Sequence, residues 1–188
     1  MRVCKMDEAW GKAYLEEVRR GLRGYKRLAD GAIAQLSEKE FFLQIDPEAN
    51  SVAILMKHIS GNIRSRFTDF LTSDGEKPDR HRDQEFVQEN LTQEELMRTW
   101  EKEWQCLFDT LESLKPEDVE RIITIRGEAH TVLQALNRAL LHYVQHIGQI
   151  IFLAKHIRGA EWKSLSIPRG KSEEFKSKSP GKYSKGLP

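Results

Sequence analysis

His142 and His146, four residues apart in ALLHYVQHIGQI, and His58, far upstream in ILMKHISGN, are the side chains of this sequence best suited to chemistry. Imidazole is the commonest metal ligand among side chains at neutral pH. Residues at i and i+4 of a helix lie about 6 Å apart along its axis and about 40° apart around it, so two such rings can reach one ion. Three protein ligands with a fourth position left open is the pattern of a reactive metal site. The helical protease motif HExxH uses the same spacing with a glutamate as base. Here Tyr143, Val144 and Gln145 fill the gap, which disfavours that chemistry.

Four apolar stripes at helical spacing supply the frame that must position the rings. The first runs from about Asp7 to Leu36 through Trp10, Tyr14, Val18, Leu22 and Tyr25. SEKE, from Ser37 to Glu40, has the form of a capping box and opens one short turn. A second helix is predicted from Ser51 to Phe70, with His58 beside Leu55 on its inner side. The stretch LTSDGEKPDRHRDQEF that follows is polar and aperiodic, and carries Gly75 and Pro78. A loop of that length within a domain is often functional, and this one is expected to cover the pocket. Thr92 and Glu95 open a third helix striped by Leu96, Trp100, Trp104, Leu107 and Leu111, and Lys115–Pro116 stops it. RIITIRG is short and β-branched and reads as an extended connector ending at Gly127. The last helix is predicted from His130 or Thr131 to Arg158, with Gly159 as its stop. The expected fold is an all-α four-helix bundle over residues 1–163. A Lys-, Ser-, Gly- and Pro-rich tail over 164–188, extended and partly disordered, follows it.

One seam of the last helix reads Val132, Ala135, Ala139, His142, His146, Gln149, Leu153. Its alanines and leucine direct it at the core, so three polar side chains stand where Leu or Val is expected. Buried without partners, each would cost on the order of 1–3 kcal/mol. A bound cation offsets that cost for the rings. The third ligand must come from another helix, and His58 is the only other histidine on a predicted core-facing side. His81 and His156 read as solvated, and His130 as a helix-mouth residue close to Glu128. Cys106 and the aromatic stripe Trp100, Trp104, Phe108 read as core, and Cys4 as part of a frayed terminus. The alternative is a histidine network held by hydrogen bonds and water, since HxxxH also arises on helices that bind no metal.

With 188 residues the chain supports one sizeable core. Its net charge of +1 argues against a nucleic-acid protein. The lysines of the tail, Lys171, Lys176, Lys178, Lys182 and Lys185, are too scattered to change that. No apolar run approaches the roughly 20 residues of a membrane span, and MRVCKMDEAW lacks the apolar core of a secretory signal. Two cysteines provide no disulfide framework, so a reducing cytoplasm is the expected location.

The sequence resembles the DinB/YfiT superfamily of metal-dependent bacterial enzymes. The likeness rests on His58 in KHISGN and on His142 and His146 in HYVQHIGQI, and with the helical order it covers nearly the whole chain. KHISGNIRSRFTDFLTSDGEKPDRHRDQEF, TIRGEAHTVLQAL and EWKSLSIPRGKS point to an uncharacterised subfamily of that group. The resemblance implies an up-down-down-up bundle, often a homodimer, with nickel or zinc on the three histidines plus water. Characterised relatives act on low-molecular-weight thiols. Asn62, one turn after His58, and Gln149, one turn after His146, are placed to hydrogen-bond the rings and so to complete the cofactor site, or else are ordinary bundle polar residues. Arg64, Arg66, Arg80 and Arg82 are placed to meet an anionic co-substrate at the pocket rim.

The leading expectation is therefore a metal-dependent transferase or hydrolase acting on a small electrophile, with a thiol as partner. No general base can be assigned, because no Asp or Glu falls on a predicted metal-facing side. A metal- or ligand-binding stress-response module without turnover is the second reading, and a purely structural dimerisation bundle is the third.

Overall fold

Ser51, Thr92 and Thr131 each start a long helix. The hydroxyl oxygen of each accepts from the backbone N–H three residues on, and Glu95 and Gln134 return the bond to complete capping boxes. The computed structural model describes residues 8–87 and 91–174. Its helices are α1 (Glu8–Ile33), α2 (Glu38–Phe41), α3 (Val52–Phe67), α4 (Gln93–Ser113) and α5 (Val132–Arg158). Strands β1 (Ile122–Ile125) and β2 (Glu128–Thr131) lie between α4 and α5.

The four long helices pack together, and their contacts give their directions. α1 opposes α4: Arg19 Nε donates to Leu111 O at 3.0 Å, and Trp100 Nε1 donates to Asp30 Oδ1 at 2.9 Å. α1 runs with α5. Near the start of both helices Tyr14 Oη donates to Leu133 O at 3.0 Å, and beyond the end of α1 Arg158 pairs with Glu40 at 3.1 Å. α3 runs with α4, since Thr110 Oγ1 donates to Phe67 O at 3.1 Å near both C-terminal ends. α3 opposes α5, because Leu55 shares a crevice with Leu153 while Phe67 shares one with Ala135. Trp100, Trp104, Tyr143, Leu22 and Ile59 lie in the common core with almost no exposure. Burying a side chain of Leu or Phe size contributes about 1.5–3 kcal/mol. Among the described residues no helix is long and apolar enough to cross a membrane.

The structure departs from the sequence reading in two places. α3 ends at Phe67 instead of Phe70, because Thr68 turns extended and Asp69 has φ 50°. The segment before the last helix is a hairpin, not a lone connector: Ile122 pairs with Thr131 and Ile125 with Glu128. Arg126 and Gly127 make its two-residue turn with φ 57° and 76°, the left-handed backbone that a tight hairpin needs. Thr131 closes β2 and caps α5, and His130 lies in the strand with Nε2 3.9 Å from Glu128 Oε2. At the end of the expected bundle Lys163 N donates to Gln35 Oε1 at 2.8 Å, and the next turn of chain brings Leu165 against Gly31 of α1. Cys4 and the lysines at 176, 178, 182 and 185 fall outside the described residues.

Candidate metal centre

α3 carries His58 and α5 carries His142 and His146, and the opposed helices bring the three rings to one point. His142 Nε2 lies 3.1 Å from His58 Nε2 and 3.1 Å from His146 Nε2. The three ligand atoms all fall within 4.8 Å of one another. Nitrogens sharing one ion at metal–nitrogen bonds of about 2.0–2.1 Å lie roughly 2.9–3.4 Å apart, depending on geometry. The all-imidazole donor set and the two 3.1 Å spacings about His142 therefore fit a divalent ion.

The outer nitrogens decide which face of each ring is available. His58 Nδ1 donates to Glu85 Oε2 at 2.8 Å, and His146 Nδ1 donates to Gln149 Oε1 at 2.7 Å. Each bond places the ring proton on Nδ1 and leaves the Nε2 lone pair facing the common point. Burial pushes His142 down to about 3, reinforced by His146, His58, Arg80 and Arg66. Burial also lowers His146, with His58 adding to it against the Gln149 bond. Neutral rings are the ligating form.

Glu85 is the residue that sequence reasoning missed. It lies in a 3₁₀ turn, Arg82–Phe86, at the end of the long loop after α3, and is 7% exposed. Arg80 Nε donates to Oε1 at 2.8 Å and Arg80 Nη2 to Oε2 at 3.0 Å, so both carboxylate oxygens are engaged. Burial alone would raise this carboxyl, but the His58 and Arg80 hydrogen bonds outweigh it and hold Glu85 below the usual carboxylate range. Gly61 makes the approach possible: a Cβ there would stand 2.8 Å from Glu85 Cδ. The next residue, Phe86, lays its ring 4.6 Å from the His58 ring.

The loop is tied down upstream as well. Gly75 N donates to Thr124 O at 2.8 Å, and Ser65 Oγ donates to Gly75 O at 2.9 Å. Asp74 accepts from the turn amides of Arg126 and Gly127, each at 2.8 Å. The hairpin thus anchors the loop that supplies Glu85. An aperiodic segment gives no hint of which side chain turns inward, and its length was the only signal.

Other expected site residues divide. Gln149 meets His146 but is exposed, not core-facing as the seam suggests. Asn62 contacts no histidine: its Oδ1 accepts from Tyr143 Oη at 3.0 Å, and it lines a cavity of about 370 Å³ together with His58 and His142. Arg66, Arg80 and Arg82 line the same cavity. Arg64 does not. It pairs with Asp79 and faces a different crevice. Trp100 and Trp104 are core, and His81 and His156 are exposed.

Residues 9–171 match the family described as Protein of unknown function (DUF1572), and the chain belongs to that family. No curated protein and no solved structure matches the chain.

Proposed function

We propose that this DUF1572 family member is a divalent-metal enzyme of the DinB/YfiT kind. In this reading nickel or zinc is held by His58, His142 and His146, and the substrate is a small electrophile. The observation that carries the proposal is the meeting of three Nε2 atoms beside a cavity that His58 and His142 both line. A closed structural site would leave no such opening. The helix directions, up-down-down-up in chain order for α1, α3, α4 and α5, support the DinB/YfiT likeness. When bound, a divalent ion would supply Lewis acidity, lowering the pKa of a water or a thiol so that a nucleophile forms at neutral pH.

The chain's own residues do the remaining work. Glu85 holds His58 in one tautomer and one orientation, and Arg80 holds Glu85. With both oxygens engaged, Glu85 is a positioning residue and not a proton shuttle. Gln149 plays the matching role for His146. Phe67 and Phe70 line the cavity and keep water from part of its wall. The reaction class we favour is thiol transfer to the electrophile, with hydrolysis as the variant that needs no thiol. A low-molecular-weight thiol partner, a homodimer and a cytoplasmic location belong to the same proposal.

A binding or stress-response module without turnover is the second reading. Its support is the lack of a carboxylate among the cavity-lining residues that could serve as a base. Nickel- or zinc-loaded protein, assayed with a panel of small thiols against chlorodinitrobenzene, separates the two. Turnover that disappears in His142→Ala supports the enzyme. Full metal loading with no turnover for any thiol, and no hydrolysis of activated esters, would leave the module.

A further inference from the structure

We infer that the cavity beside the histidines receives a small molecule carrying an oxyanion, a carboxylate or a phosphate, on an apolar body. The anion sits among Arg82, Arg126 and Arg138, and the rest of the molecule extends towards the three rings. The direction of the ligand rests on the metal-site reading, whereas the seat for the anion does not.

The lining supports this by its composition. Five arginines line the cavity from four separate segments: Arg66 from α3, Arg80 and Arg82 from the loop, Arg126 from the hairpin turn and Arg138 from α5. No Asp or Glu lines it. The carboxylates behind the wall are too few to balance them. Glu76 is shared by Arg66 at 2.7 Å, Arg126 at 3.0 Å and Arg80 at 3.5 Å. Glu85 is held by Arg80 and His58. Asp74 is occupied by the backbone amides of Glu76, Arg126 and Gly127. Arg82 has only the exposed Asp83 at 3.9 Å, and Arg138 makes no ion pair among the described residues.

Arg82, Arg126 and Arg138 are exposed at the rim of the cavity, where like charges gathered in one concavity raise the local positive potential. A planar guanidinium fork matches the oxygens of a carboxylate or phosphate, which makes an oxyanion the natural counter-charge. The whole chain carries only +1, so the positive charge is local. That favours a small ligand over a polyanion such as nucleic acid. The remaining wall is apolar, with Phe67, Phe70, Ile125, Ala135 and Ala139. About 370 Å³ is enough for a compact molecule with a ring-sized body. Arg138 precedes His142 by one turn on the same helix face, about 6 Å along the axis. An anion held there leaves the next atoms of the ligand over the histidines.

Two of these arginines have fixed surroundings. Arg126 is held at the hairpin turn, where its backbone N–H and that of Gly127 donate to Asp74. The Arg82 guanidinium lies 5.0 Å from the centre of the Phe86 ring, which itself lies against His58. One arm of the seat thus connects to the metal centre through a single aromatic contact.

Isothermal titration calorimetry on the full chain tests the proposal, using phenyl phosphate, benzoate, benzyl alcohol and benzylamine as probes. The expected result is binding of one or both anions, with the neutral and cationic compounds at least tenfold weaker. Comparing phenyl phosphate with benzoate separates phosphate from carboxylate preference. Arg138→Ala and Arg82→Ala should each weaken anion binding at least tenfold while still taking up one zinc per chain. Arg138→Glu should abolish it. His142→Ala, poor in metal, should still bind the anions, which excludes their sitting on the ion itself. Wild type that takes up no zinc yet binds phenyl phosphate through Arg138 would defeat the metal reading and support the anion seat. Equal affinity for benzyl alcohol, or arginine variants within twofold of wild type with unchanged melting curves, would overturn the seat.

Discussion

Glu85 Oε2 stands 2.8 Å from His58 Nδ1 although 27 residues separate them in sequence. His58 belongs to a regular helix and Glu85 to an irregular loop, so the bond joins the most rigid part of the centre to a segment set by its own anchors. The same carboxylate is gripped by Arg80, whose side chain also lines the cavity. Ring orientation, loop position and cavity charge are therefore one connected arrangement.

Glu85→Gln keeps the size of the side chain and removes its charge. Loss of a carboxylate behind a ligating histidine typically weakens metal binding about 10–100-fold. Competition against a chromogenic chelator should show a fall of that order in a folded protein. Unchanged affinity would mean that the loop carboxylate takes no part in the centre.

Gly61→Ala sets helix propensity against the site. In an exposed helix the change would add about 1 kcal/mol of stability. Here the new methyl would stand 2.8 Å from Glu85 Cδ and displace it from His58. Metal affinity is expected to fall without a matching gain in melting temperature. A variant that melts higher and binds metal as wild type does would contradict the packing described.

Asp74 ties the loop to the hairpin. The backbone N–H groups of Glu76, then Gly127 and Arg126, hold its carboxyl below the usual range. Its folded pKa is thus below its unfolded one, so its contribution is present above the unfolded pKa and is lost as pH falls through the folded value. Asp74→Asn is expected to cost about 1–2 kcal/mol at neutral pH, a modest figure because the group is partly exposed. The difference from wild type should shrink in acid, as denaturant titrations at several pH values would reveal.

Glu103 has the opposite sign. It is 5% exposed, Lys102 Nζ is 4.0 Å away, and burial raises its carboxyl. A raised folded pKa means that this group's contribution to stability is greatest below the pKa of an unfolded glutamate, about 4.3, and falls as pH rises through the folded value. Glu103→Gln should therefore stabilise the protein at pH 7 by on the order of 1 kcal/mol. The gain should vanish below about pH 4. A loss of stability at neutral pH would show that the attraction to Lys102 outweighs the cost of burying the charge.

What could be read without coordinates follows from rigidity. His142 and His146 are joined by one helical turn, whose geometry is the same in any helix, so their convergence needs no tertiary information. His58 follows from the inner face of a second periodic stripe. Glu85 does not, because an aperiodic loop assigns no direction to its side chains. β2 is hard to see in EAHT, where one β-branched residue in four gives no alternating pattern, and pairing with IITI supplies what the local sequence lacks. Arg126 reaches the cavity only because that hairpin forms. Arg138 is exposed on α5 and reads as any solvated helix residue; only the packed structure shows that it also lines the cavity. Asn62 shares His58's helix face, yet Tyr143 on the opposing helix takes its oxygen, a choice that only packing reveals.

The proposed function requires His58, His142 and His146 to hold one divalent ion together. Elemental analysis of untagged protein, exposed to equimolar zinc or nickel and then desalted, is the decisive check. The expected result is close to one ion per chain in wild type and none in His58→Ala or His142→Ala, with all three proteins giving helical circular dichroism spectra. Wild-type protein that remains folded and retains neither metal would contradict it.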